Sequence, residues 1–258
     1  MTMWAEKSEV LKKKLALRTD PVAFKRLDKA TELEAIKGLT RLTTTHSFCQ
    51  LPFMVRVLGL TVGVTSKDKL MDRCKRLHAL ARTNEEDMKE ESVMLSKTWF
   101  ASPEDSMEQQ KDYPRMPAGE AIVLSPLSRA SFEPDVISIY GNPAQVMMIM
   151  CGLQKVKYER FHFSFIGEGA CTESIGQCYL SGKPSLAIPC YGERALGQVA
   201  DDEIVIALPP GEVDRAIKGL DMLKKVGFKY PTAFIGGITN PLKALSMFYP
   251  EAREAGNK

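Results

Sequence analysis

Two stretches decide the fold: DVISIYGNPAQVMMIMCGL at residues 135–153 and DEIVIALPPGEVDRAIKGL at residues 202–220. Each opens on Asp, runs through Val and Ile, breaks at a proline and continues to Gly-Leu. Short β-branched runs bounded by turn residues read as strands, and proline suits the first position of a following helix. Asp135 aligns with Asp202, Ile137 with Ile204, Pro143 with Pro210, and Gly152-Leu153 with Gly219-Leu220. Upstream, Ser128-Arg129-Ala130 resembles Glu193-Arg194-Ala195. This reads as a duplicated strand–loop–strand–helix unit, giving two related sheet halves with the site-bearing segment between them. Strand–Pro–helix units are also common enough to recur by chance.

Working outward, Ile122–Leu124 adds a strand, and Tyr158–Phe163 reads as a strand joining the halves. Residues 5–17 read as a helix, broken at Asp20-Pro21, and Val22, Phe24 and Leu27 read as a strand. A helix is expected from Pro52 through Val57. Ser66 is a good N-cap for another through Cys74 and Leu77. Asn84–Ser96 is charged and helical, and Pro103, Pro114 and Pro117 mark an exposed linker or lid. The tail PTAFIGGITNP, followed by Leu242–Phe248, is apolar and expected to dock on the body. The expected class is therefore α/β or α+β. A mostly helical part at 1–100 and a linker or lid at 101–119 precede a duplicated α/β part with a mixed sheet at 120–258, all in one compact unit.

The 258 residues suffice for one large domain or two small ones. With 35 basic and 32 acidic residues the net charge is +3, which gives no footprint for nucleic acid. No apolar run is long enough to span a bilayer, and the N-terminus lacks a signal-peptide apolar core. A cytoplasmic location follows as the expectation, and six cysteines then favour free thiols or metal ligands over disulfides. Met147, Met148 and Met150 read as core filler.

Three of the six cysteines lie in FSFIGEGACTESIGQCYLSGKPSLAIPCYG at 163–192. Gly167 and Gly169 flank Glu168 and allow a sharp helix entry with free amides, a turn resembling an anion cradle. Cys171 would fall in the first helical turn, where the dipole lowers a thiol pKa. It reads equally as a small core residue in a tight turn. Cys190 follows Pro189 at a strand end, where scaffolds often carry reactive groups, and Gly192 shapes its exit. Cys178, two helical turns past Cys171, either shares its face or simply packs. There is no C-x-x-C, Walker motif, G-x-G-x-x-G or G-x-S-x-G. Zinc ribbon, ferredoxin run, nucleotide fingerprint and serine-hydrolase elbow are thus all missing. Arg194 is placed to clamp an anion or to pair with Glu193, Asp202 or Glu203. Arg129 is its counterpart. Glu203 is a strand-start acid or cap. His46 is a ligand, an acid–base group or a turn residue. His162 is expected half-buried. His78, one turn from Cys74, is a metal partner or part of a solvated face.

Taken together, Phe48-Cys49-Gln50, PLSRASFEPDVISIYGNPAQ at 126–145, the cysteine of GEGACTES, and PCYGER followed by ADDEIVIALPP resemble domain of unknown function 169. The resemblance runs from about Leu17 to Leu223. It implies cysteines at Cys49, Cys171 and Cys190. It also implies one in a glycine-rich stretch, matched by Cys74, whose flanks here are Asp-Arg and Lys-Arg. Members resembling this chain include many from anaerobic bacteria and archaea. The resulting expectation is a centre on Cys49, Cys74, Cys171 and Cys190 that holds an iron–sulfur cluster, or zinc. Gly167, Gly169 and Gly192 would line the cofactor, and Arg194, Glu203 and His46 would serve a small anionic substrate. The activity expected is a metal- or cluster-dependent oxidoreductase or lyase of anaerobic metabolism, with no nucleic-acid or membrane partner and a possible homo-oligomer. The other expectations are a metal-free small-molecule-binding or regulatory protein, and a metal-free cysteine nucleophile.

Overall fold

A computed structural model describes residues 2–232. Its strands are β1 (Val22–Leu27), β2 (Leu39–Thr40), β3 (Thr61–Thr65), β4 (Ala121–Pro126), β5 (Val136–Gly141), β6 (Ser185–Ala187) and β7 (Ile204–Leu208). Its helices are α1 (Met3–Leu15), α2 (Gln50–Arg56), α3 (Asp72–Leu77), α4 (Glu85–Leu95), α5 (Pro103–Asp112), α6 (Pro143–Val156), α7 (Gln177–Ser181), α8 (Tyr191–Ala195) and α9 (Pro210–Lys225). The strands form one mixed sheet in the order β2-β3-β4-β1-β5-β7-β6, antiparallel except for β2 with β3. The α/β class follows.

Both faces of the sheet are covered, so strands such as β4 and β5 are buried throughout and read as continuous apolar runs. Alternation sorts their side chains. Ala23, Ile137, Ile139, Ile206 and Leu208 face a core shared with Leu11 and Leu15 of α1, Ile149 of α6 and Leu220 of α9. Val22, Phe24, Val136, Tyr140, Val205 and Ala207 face the opposite core, which contains Phe48, Leu51, Cys171, Cys178 and Cys190. The cysteine turns therefore sit on one defined side of the sheet.

The helix α6 starts as the sequence reads it. Asn142 accepts from the Gln145 amide at 2.9 Å, while Gln145 Oε1 accepts from the Asn142 amide at 2.8 Å. Gln145 Nε2 also donates to the carbonyls of Leu15 and Ala16 at 2.9 and 3.1 Å, tying the end of α1 to this cap. Asn142→Ala is expected to lower folding stability by about 1 kcal/mol, read as a lower urea midpoint at unchanged slope.

The two repeat-like stretches become β5–α6 and β7–α9. Their strands pair antiparallel, Ile137 with Leu208 and Gly141 with Ile204. Their helices cross at Gly152 and Gly219, where a Cβ on Gly219 would lie 1.7 Å from the Gly152 carbonyl oxygen. The flanking strands differ: β6 lies beside β7, whereas β1 separates β4 from β5. Element order thus recurs but strand pairing does not, and duplication is not established by it.

Several local expectations change. The first hundred residues hold α1 to α4 and also give β1, β2 and β3 to the common sheet. The 101–119 stretch holds α5, opened by Ser102, which accepts from the Asp105 amide at 3.1 Å. Proline marks a helix start there rather than a linker. Ser66 caps no helix: Asp68 takes the Thr65 amide and hydroxyl, both at 2.7 Å, and closes a turn. The helix with Cys74 begins later, at Asp72. Residues 157–166 form no strand, and Phe161 and Phe163 stack on each other at 6.0 Å. The expected docking of the tail falls on residues 233–258, outside the described residues.

Candidate thiol centre

Three chain segments meet on the Phe48 side of the sheet. The first is the turn before α2. Phe48 is fully buried and stacks on His78 at 3.4 Å with rings 5° from parallel. This fixes Cys49, which directly precedes α2. The Phe48 amide donates to Cys74 Sγ at 3.2 Å, so the Cys74 thiol lies against the same turn.

The second segment is the glycine turn. Gly169 has φ +97°, a left-handed conformation, and a Cβ there would strike the Tyr113 ring at 2.4 Å. Glycine is required on both counts. The Gly169 carbonyl then accepts from the Thr172 amide and hydroxyl at 2.9 and 2.8 Å. Cys171 enters a helix whose first turn, Thr172–Gly176, is widened to the π form, a distortion frequent at functional sites. A Cβ at Gly176 would lie 2.6 Å from the Pro114 carbonyl, so this turn packs tightly on the segment after α5. Arg73 and Tyr113 both bond the Glu168 carboxylate, and Arg73 also bonds Glu91. This network clamps the turn from the side of α3–α5.

The third segment is the exit from β6. Cys190 opens α8. A Cβ at Gly192 would contact Cys49 Sγ at 3.4 Å and Cys190 Sγ at 3.8 Å, so Gly192 flanks two of the sulfurs. A Cβ at Gly197 would lie 2.6 Å from the Cys49 carbonyl, which explains glycine where this loop crosses the α2 entry.

These placements bring Cys49, Cys171 and Cys190 together. Cys49 interacts with both other thiols. Its pKa is driven up, first by Cys171 and then by burial, against an opposing effect of Cys190. For Cys171 the largest influence, Cys49, lowers the pKa, but burial and the Glu193 carboxyl outweigh it. Cys190 is raised by Cys49 and by burial. The amides of Glu193, Gly169 and Ala170 act on its sulfur in the opposite sense. Cys190 makes no side-chain cap bond to α8. Two expectations are thereby corrected. The Cys171 thiol is raised rather than lowered, because burial and the neighbouring acidic groups outweigh the lowering by Cys49. The Gly169 amide of the supposed anion cradle is directed to sulfur.

The remaining candidates separate. Cys74 is raised mainly by burial and lies at the edge of the group. Cys178 is raised to about 12 by burial alone, as expected of a lone core thiol. Cys151 lies 3.5 Å from Met147 Sδ, outside the group. Arg194 donates to the Ala200 carbonyl at 2.7 Å, and Arg129 to the Gly59 carbonyl at 2.8 Å. Glu203 accepts from Arg56 at 3.3 Å and from the Ala200 amide at 3.0 Å. His46 Nδ1 lies 2.7 Å from the Thr44 carbonyl, in a turn. Gly167 would meet nothing within 4 Å. Among these, only Gly169 and Gly192 reach the sulfurs.

The sequence pattern did not single out Glu193. Its side chain is buried, one carboxyl oxygen stands 3.4 Å from the Tyr140 hydroxyl, and the other has no partner among the described residues. Burial, then the Cys190 charge, push its pKa to about 8, while Tyr140 and Arg56 pull it down. The available signal was a three-residue spacing from Cys190, which puts both on one helical turn.

The donor set, three thiols, matches what soft or borderline metals take. As placed, however, no group of three or more His, Cys, Asp or Glu side chains that could hold a metal ion is found among the described residues. Their raised pKa values keep the thiols protonated near neutrality, and metal binding must displace those protons. A 630 Å³ cavity lies elsewhere, lined by Leu39, Arg41, Thr65 and Lys67 among others at the β2 edge of the sheet. It carries none of the thiols, so its size does not make it the chemical site. Among the described residues no helix is long and apolar enough to cross a membrane.

A model of the family described as uncharacterised ArCR, DUF169, matches residues 10–219. An uncharacterised protein of Methanocaldococcus jannaschii is 25% identical over 107 residues. That alignment covers 41% of this chain and 46% of the relative, so the chain spans under half the length of the curated relative it matches. No solved structure matches.

Proposed function

From the premise that the chain belongs to the DUF169 family, we propose that it is a thiolate-centred protein of the reducing cytoplasm, holding an iron–sulfur cluster or zinc. The carrying observation is the convergence of distant cysteines: the Cys49 and Cys190 sulfurs both flank Gly192, and Cys49 interacts with Cys171 as well. Six free cysteines support a reducing compartment. The bound group would supply Lewis-acid or electron-transfer chemistry. The chain's own residues exclude water from it. Phe48 and the sheet wall it on one side, and the Arg73–Glu168–Tyr113 clamp holds the turn before Cys171 on another. Oxidoreductase or lyase chemistry of anaerobic metabolism on a small anionic substrate remains part of this proposal. Arg194, Glu203 and His46 carry no role in it, given their separate bonds.

Anaerobic purification and reconstitution test the reading. Iron with sulfide, or zinc, is expected in stoichiometric amount, with a visible chromophore in the cluster case. Cys49→Ala is expected to lose it. Protein that stays colourless and free of iron and zinc after reconstitution overturns the proposal. The raised thiol pKa values oppose the metal-free nucleophile, which needs a thiolate. A small-molecule or regulatory role without metal would instead show as a ligand-induced thermal shift in unreconstituted protein.

A further inference from the structure

We propose that the pocket between the 159–164 segment and the turn from α7 to β6 binds a phosphate group, carried by free phosphate or by a small phosphate ester. Its lining contains none of the cysteines, and the proposal does not depend on their holding a metal.

The pocket has a volume of 160 Å³ and lies beside β6, at the opposite edge of the sheet from β2. That is below the roughly 300 Å³ of pockets that enclose a drug-sized ligand, so it suits a single ionic group. Arg160, His162 and Ser164 line it from one segment, and Gln177 and Lys183 from the other. None of these five side chains has a hydrogen bond or ion pair among the described residues. One unpaired lysine on a surface is ordinary. Five unpaired polar side chains around one concavity, two of them fixed cations, form a set of donors without an acceptor.

Other groups hold the walls. Phe161 and Phe163 alternate with the polar residues, their rings stack at 6.0 Å, and Phe161 packs on the core that contains Leu153 and Leu220. Opposite, the Ser181 hydroxyl donates to the Gln177 carbonyl at 2.7 Å and accepts from the Lys183 amide at 3.2 Å. Ser185 donates to the Glu173 carbonyl at 2.5 Å. The one carboxylate among the lining residues, Glu159, is paired with Arg215 at 3.4 Å, so Arg160 and Lys183 keep their charge unanswered.

The donor set selects phosphate. Near neutrality a phosphate monoester carries about −1.5 to −2 charge and three strong acceptor oxygens. It takes the arginine fork, the lysine ammonium and a hydroxyl at once. A carboxylate offers one charge and two oxygens, which leaves donors idle.

Calorimetry on the metal-free full-length chain at fixed ionic strength tests this with inorganic phosphate, glycerol phosphate and succinate, which matches the charge but lacks the tetrahedral group. Saturable binding at one site per chain is expected for a phosphate probe. Arg160→Gln and Lys183→Gln should each weaken it at least tenfold, and Arg160→Lys should recover part of the loss. Lys97→Gln, at an exposed lysine outside the pocket, should match wild type. Tighter binding of glycerol phosphate assigns a phosphate ester, and tighter binding of inorganic phosphate assigns the free ion; both support the site. Saturable binding of neither, unchanged affinity in Arg160→Gln and Lys183→Gln, an equal loss in Lys97→Gln, or succinate binding as tightly as phosphate overturns the proposal. Because no metal is present in the titration, failure of the thiol-centre reading leaves this result standing, and the reverse holds too.

Discussion

Acidifying the metal-free protein from pH 6.5 toward pH 3 is expected to cost about 5 kcal/mol of folding stability through His78, at roughly 1.4 kcal/mol per pKa unit. The His78 ring is fully buried and stacked on Phe48. Its Nδ1 lies 3.0 Å from the Cys74 carbonyl, and its Nε2 has no partner among the described residues. Burial, as the leading cause, holds its pKa down at about 3 against an ordinary 6.5; the Cys74 carbonyl opposes this and Arg73 adds to it. The unfolded chain takes up the proton below pH 6.5, while the folded chain resists until about pH 3. More protons are then bound unfolded than folded, so the contribution is whole above 6.5 and shrinks as pH falls through the window. His78→Phe keeps an aromatic ring against Phe48 and removes the titration. Urea unfolding at several pH values should show a flatter acid limb for the variant. Parallel losses in both proteins would mean that His78 protonates without penalty.

Gly219→Ala is expected to destabilise the protein by about 3 kcal/mol or more, the upper range for forcing atoms into a packed interior. The added Cβ would lie 1.7 Å from the Gly152 carbonyl oxygen and 2.7 Å from Gly152 Cα. Both are backbone atoms of α6, so no side chain can rotate away. The two helices must separate, and contacts such as Leu153 and Leu220 in the same core loosen with them. Gly211→Ala is the control. It lies in the first turn of the same helix, and its Cβ would meet nothing within 4 Å. That variant should be neutral or slightly more stable, since alanine restricts the unfolded chain. Equal urea midpoints for the two variants would show that α6 and α9 do not cross at these glycines.

Much of the local structure is legible in the sequence. Asn142-Pro143 and the Pro209-Pro210 pair mark helix starts, and Val136–Gly141 and Ile204–Leu208 read as strands from their branched residues. The missed pieces share a cause. Ser66 and Pro103 mislead when read from residue type alone. A serine caps a helix only if the next residues are not claimed by another turn, and Asp68 claims them. A proline breaks or begins a helix according to the residues on its C-terminal side.

At the site, Cys171 and Cys190 stand out from their local sequence, at a helix entry and a strand end, while Cys49 came from the family resemblance, since no spacing joins it to them. The thiol pKa direction and the raised pKa of Glu193 were hidden, because both depend on burial and on neighbours far along the chain. By itself, the sequence determined the α/β class and most element starts, since propensity, alternation and capping act over a few residues. Only the tertiary structure decided that β1 lies between β4 and β5 and that three distant turns meet beneath Phe48. Those outcomes depend on which strand pairs with which, a choice made by burying both sheet faces at once.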